Sequence, residues 1–186
     1  MTPIYTIGHS THPIDEFLGI LSAHGIRTLV DVRTVPKSRH NPQFGEDQLP
    51  GSLDAAGIRY VRFEELGGLR HSRKDSINGA WRNASFRGYA DYMQTDEFAA
   101  GIRRLIDLAD TAGPLTVMCA EAVPWRCHRS LIGDALLVRG HDVLDIMSEK
   151  DARPHKLTPF AHVDGQKITY PPTEDETTDR ELPQHD

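Results

Sequence analysis

The sequence predicts an α/β fold, a three-layer domain with a mostly parallel sheet of about five strands and helices on both faces. Three observations predict it. Short runs of β-branched and apolar residues alternate with longer segments of helical apolar spacing, the order expected of β-α units. A chain of 186 residues is the size of one domain and buries roughly 70% of its unfolded surface. No internal repeat or linker divides it. Residues 1–172 therefore read as a single α/β domain. Residues 173–186 hold six acids and one Arg, and read as an acidic, disordered tail.

The elements follow in order. Ile4-Tyr-Thr-Ile7 alternates and stops at Gly8, a first strand. Pro13 to His24, apolar at Ile14, Phe17, Leu18 and Leu21, is an amphipathic helix closed by Gly25. Thr28-Leu-Val-Asp-Val32 has the pattern of a buried strand, and a polar loop from Pro36 to Pro42 follows it. A short helix spans Gln48 to Ala56, and Ile58-Arg-Tyr-Val61 is the third strand. Residues 64–88 show little periodicity. Helices are expected from Tyr89 to Met93 and from Glu97 to Ala109. Pro114-Leu-Thr-Val-Met118 is a strand, Leu131 to Val138 a helix, and Asp142-Val-Leu-Asp-Ile146 a last strand. Residues 154–172, with turn chemistry at Val163-Asp-Gly-Gln, read as an irregular or hairpin wrap.

Composition narrows the function classes. The net charge is -6, but the tail carries most of it, so the body is near neutral and neither nucleic acid nor membrane is required as a partner. No apolar run approaches the ~18–20 residues of a membrane span, and the first residues lack a signal-peptide pattern. The cytoplasm is the expected location. There, two cysteines are thiols or metal ligands before they are a structural disulfide.

Both cysteines lie in one loop, Cys119-Ala-Glu121-Ala-Val-Pro124-Trp125-Arg126-Cys127-His128, with Arg129-Ser130 after it. A strand precedes the loop and a helix follows it, which places two thiols, a carboxylate, an imidazole and two guanidinium groups at a helix N-terminus. In parallel sheets the ligand crevice lies beyond the carboxyl ends of the strands. Gly8-His9-Ser10, Asp31-Val-Arg33, the loop after Val61 and the Cys119 loop all fall at predicted strand ends, so they should converge on one edge.

Those same motifs, with Pro36, Ser38 and Leu66-Gly67-Gly68, resemble the domain-of-unknown-function 488 (DUF488) family over about residues 4–172. The resemblance implies that they form the family's shared site, and it implies no reaction. A more distant likeness is to rhodanese-type sulfurtransferases, where a strand also delivers a Cys into a loop that opens a helix. Their cradles are of the Cys-x5-Arg kind, whereas here six residues separate Cys119 from Arg126 and nine separate it from Arg129. Glu121 inside the loop would repel an oxyanion and raise a neighbouring thiol pKa.

Each candidate has a functional and a plain reading. Cys119 is a nucleophile activated by Arg126, His128 and Arg129, or a small buried hydrophobe at a strand end. Cys119, Cys127 and His128 are donors of the kind that zinc or iron takes, although their spacing matches no standard metal motif. His9 is a proton carrier or anion contact, as are Glu121 and His128, while Ser10 reads first as a helix cap. Arg33 holds a carboxylate or phosphate with Asp31 orienting it, or the two form only an ion pair. Arg126, Arg129 and Arg39 are further anion contacts.

Two functions follow. One is a site on the Cys loop that acts on or binds a small anionic ligand by thiol-based or metal-assisted chemistry; whether it is an enzyme the residues leave open. The alternative is a nucleic-acid- or partner-binding module. It would use residues 59–87, where seven Lys/Arg stand against three acids among Tyr60, Phe63, Trp81 and Phe86.

Overall fold

The computed structural model describes residues 2–173, so the tail expected at 173–186 lies, beyond its first residue, outside the described residues. Strands β1 (Ile4–Gly8), β2 (Thr28–Asp31), β3 (Arg59–Arg62), β4 (Leu115–Cys119), β5 (Val143–Ser148) and β6 (Asp151–Pro154) form one sheet in the order β3-β2-β4-β1-β5-β6. All neighbours are parallel except β5 and β6. The expected α/β architecture is what the chain adopts, with one strand more in the sheet than about five. The added strand is the antiparallel edge β6, whose Asp-Ala-Arg-Pro sequence is too short and polar to show strand periodicity. Central β2 and β4 are buried along their whole length, while edge strands β3 and β6 are half open. That explains why β2 and β4 read as continuous apolar runs.

Alternate residues of each strand feed two cores. Ile7, Leu29 and Met118 point to the face covered by α1 (Ile14–Ala23) and α2 (Leu49–Ala55). Ile4, Val30 and Val117 point to the face covered by α3 (Ala84–Tyr92), α4 (Asp96–Ala112) and α5 (Arg129–Leu137). Helix α3 begins earlier than its apolar spacing suggests, because the Asn83 side chain accepts from the Ser85 and Phe86 amides and caps it. A hairpin, β7 (His162–Asp164) with β8 (Lys167–Thr169), occupies part of the segment expected as a wrap. Its turn passes through Gly165 at φ 63°, the left-handed conformation that glycine adopts without cost.

Candidate functional site

Strand register brings the first and fourth strand ends together. Gly8 pairs with Cys119, and beyond the strands the His9 and Ser10 amides donate to the Cys119 and Ala120 carbonyls, both at 2.9 Å. On the other side of β4, the Val32 amide donates to the Met118 carbonyl at 3.1 Å. Ser10 sits at φ 50°, a strained conformation for a residue with a side chain. It does not cap α1. That helix starts at Ile14 behind Pro13 and has no side-chain cap, so the capping role expected for Ser10 is replaced by its place in the loop.

Asp31 and Arg33 form the rigid part of the site. Arg33 Nε and Nη2 donate to the two Asp31 oxygens at 3.0 and 2.8 Å, and the Tyr60 hydroxyl adds a third bond at 2.6 Å. Both members of this pair are buried, where a bidentate geometry is what compensates desolvation. Arg33 Nη1 donates to His9 Nε2 at 3.3 Å, while His9 Nδ1 donates to the Ser10 carbonyl at 2.8 Å and the ring stacks on Phe44. Burial, aided by the Arg33 charge, lowers the His9 pKa from 6.5 to about 4. His9 is therefore neutral at pH 7, with its free lone pair turned toward a guanidinium.

Arg129 organises the Cys loop. It is the first residue of α5, fully buried, and its Nη1 donates to Cys119 Sγ at 3.0 Å and to the Glu121 carbonyl at 2.7 Å. Its Nη2 reaches the Ala122 carbonyl at 3.3 Å. No carboxylate pairs with it among the described residues, and the Cys119 sulfur is the ionisable group its Nη1 meets. Burial pushes the Cys119 thiol up, but the hydrogen bond from Cys127 and the Arg129 charge outweigh it and bring the thiol down to about 7. Cys127 moves the other way, raised by its bond to Cys119 and by burial. Its sulfur also lies 3.6 Å from His128 Nδ1, while His128 Nε2 donates to the Val32 carbonyl at 3.2 Å. Burial lowers the His128 pKa to about 4, so this second imidazole is neutral as well. Gly8 makes the arrangement fit: a Cβ there would stand 1.5 Å from the Glu121 carbonyl oxygen and 2.6 Å from Arg129 Nη1.

Above this lies a cleft of about 380 Å³ lined by His9, Ser10, Arg33, Lys37, Ser38 and Asn41 and by residues 120–122, Glu121 among them. Of the candidates from the sequence, His9, Ser10, Arg33 and Glu121 meet in this cleft. Asp31 stands behind Arg33. Cys119, Cys127 and Arg129 lie beneath the cleft and do not line it, and His128 faces Val32 and Gly68. Arg39 and Arg126 are exposed outside it. The loop amides of Arg126 and Cys127 are bonded to the Val123 and Pro124 carbonyls, so they do not ring the Cys119 sulfur as an oxyanion cradle would.

Cys119, Cys127 and His128 are engaged with Arg129, each other and a carbonyl. No group of three or more His, Cys, Asp or Glu suited to a metal ion occurs among the described residues. Within 59–87, Phe63 is buried, Tyr60 bonds Asp31, and Trp81 and Phe86 stack on each other at 4.9 Å. These rings are used inside the fold. No helix among the described residues is long and apolar enough to cross a membrane.

A model of the family described as Domain of unknown function DUF488 matches residues 13–136. The chain belongs to that family. No curated protein and no solved structure matches it. The DUF488 match spans Asp31, Arg33, the Cys loop and Arg129, and stops short of β1 on one side and β5 on the other.

Sequence reasoning missed a second cluster, which joins Asp134, inside the matched segment, to residues outside it. His155 lies between two carboxylates, its Nε2 2.9 Å from Asp134 Oδ1 and its Nδ1 2.9 Å from Asp145 Oδ2. Thr158 and the Tyr170 hydroxyl also donate to Asp134, and Thr6 donates to Asp145 at 2.5 Å. Burial alone would lower the His155 pKa, but the two carboxylates raise it to about 9. One signal was available: Asp145 interrupts an apolar strand and Asp134 an apolar helix, and buried carboxylates need partners.

Proposed function

We propose that this chain binds a small anionic ligand in the cleft above the Cys loop, through Arg33 and Lys37. The observation that carries the reading is Arg33. Two bonds to Asp31 fix its guanidinium, its remaining nitrogen makes only a 3.3 Å contact to neutral His9, and the residue lines the cleft. Such preorganisation reduces the side-chain entropy lost on binding. Lys37 adds a second cation, while Ser10, Ser38 and Asn41 add hydrogen-bonding groups. Glu121, which also lines the cleft, repels a bare oxyanion and favours a ligand that carries an amino or hydroxyl donor besides its anionic end. Cys119 and Arg129 serve as a buried thiolate–guanidinium pair that holds the cleft floor through the Glu121 and Ala122 carbonyls.

Isothermal titration with inorganic phosphate and with O-phosphoethanolamine tests this. Phosphoethanolamine should bind more tightly than phosphate, and Lys37→Glu, a substitution at an exposed position, should weaken it roughly tenfold. Glu121→Gln should narrow the difference between the two ligands. Absence of binding heat with both, or binding indifferent to Lys37→Glu, overturns the reading.

A further inference from the structure

A second cleft, of about 470 Å³, is lined by residues of β5 and β6, by the segment after β6 and by Ser130 of α5. Its lining is mainly apolar, and both tryptophans of the chain, Trp81 and Trp125, belong to it. Trp81 is fixed, stacked on Phe86 and edge-on to Phe160 and Tyr170. Trp125 is 64% exposed, an unusual position for the largest apolar side chain unless something flat covers it. The lining includes two exposed cations, Lys156 and Arg153, the latter paired with Asp151 at 2.8 Å, and the buried Asp145. Each Asp145 oxygen accepts one protein hydrogen bond, from Thr6 and from His155, which leaves a carboxylate lone pair for a further donor.

An aromatic wall, a buried acceptor and two cations match three parts of one ligand. We propose that this cleft binds a nucleotide: its base stacks on Trp125, a base N–H donates to Asp145, and its phosphate meets Lys156 and Arg153. The cleft size suits a ligand of that class, and stacking on tryptophan with a cation for the phosphate is how bases are held without sequence readout. This site is separate from the cleft above the Cys loop and shares no lining residue with it.

Because both tryptophans line the cleft, intrinsic fluorescence reports on it directly. Titration with AMP should give saturable quenching. Adenosine, which lacks the phosphate, should bind at least about tenfold more weakly, and so should AMP to Lys156→Glu. Trp125→Ala should weaken AMP by a similar factor, read by calorimetry, with the thermal transition confirming that each exposed-site variant remains folded. Two results overturn the proposal: no saturable change with AMP, or AMP affinity unaltered in both variants. A third, 4-hydroxybenzoate binding as tightly as AMP, overturns the assignment to nucleotides, since it supplies a ring and an anion without the base N–H groups.

Discussion

The cleft above the Cys loop and the cluster around His155 solve the same problem in opposite ways. Each buries imidazole rings near the edge of the sheet. His9 and His128 are surrounded by carbonyls and by Arg33 and Arg129, and burial leaves them neutral. His155 is held by Asp134 and Asp145 and stays charged. The difference is the number of carboxylates within hydrogen-bond distance, and it sets what each region can do. A neutral ring beside the Arg33–Asp31 pair adds no charge of its own to the cleft. A charged ring clamped at both nitrogens by carboxylates keeps both of its protons in hydrogen bonds and acts as a structural cross-link between α5, β5 and the segment after β6.

If that contrast is right, the strongest disturbance comes from opening the clamp. Asp134→Ala removes the partner of His155, Thr158 and Tyr170 together, and should cost about 3–5 kcal/mol in chemical denaturation, the usual cost of breaking a buried ion pair. Gly8→Ala attacks the other region through its backbone. Its methyl group must displace the Glu121 carbonyl, so we expect a loss of about 3 kcal/mol. Hydrogen exchange should rise at residues 119–122 while the His155 cluster stays protected.

The pH dependence separates the two regions by sign. His9 and His128 have lowered pKa values, so their contribution to stability is complete above pH 6.5 and is lost as the pH falls through about 4. His155 has a raised pKa, so its contribution is complete below 6.5 and is lost as the pH rises through about 9. Each imidazole should contribute on the order of 3 kcal/mol at the end of its window, so the acid limb, which rests on two, should be about twice the alkaline limb. His155→Gln should flatten the alkaline limb and leave the acid limb in place. Cys119→Ser should have the smallest effect, about 1–2 kcal/mol, because the serine hydroxyl can still accept from Arg129, which keeps its Glu121 and Ala122 carbonyl partners. Ultraviolet thiolate absorbance of the unmodified chain should titrate near 7 for Cys119; a midpoint at or above the ordinary value of about 8.5 would remove the thiolate–guanidinium pair.

The two regions also differ in how far the sequence revealed them. The convergence of Gly8-His9-Ser10, Asp31-Val-Arg33 and the Cys loop followed from strand order alone, because parallel strands deliver their ends to one edge. The depth of each group did not follow. Nothing in the spacing shows that Arg129 turns inward to hold Cys119 under the cleft, or that Arg126 turns outward. Ser10 looked like a cap because Ser before a helix usually is one, and only the backbone shows the helix starting four residues later, at Ile14. The His155 cluster joins Thr6, Asp134, Asp145 and Tyr170 across the whole chain. Such contacts depend on tertiary packing, and no local pattern encodes them.

The measurement that bears most directly on this account is a backbone-amide NMR titration with O-phosphoethanolamine. The account predicts shifts at His9, Ser10, Arg33, Lys37 and residues 120–122, with the indole signals of Trp81 and Trp125 unmoved. Shifts confined to the two tryptophans and the His155 segment, or none at the Arg33 cleft, would contradict it.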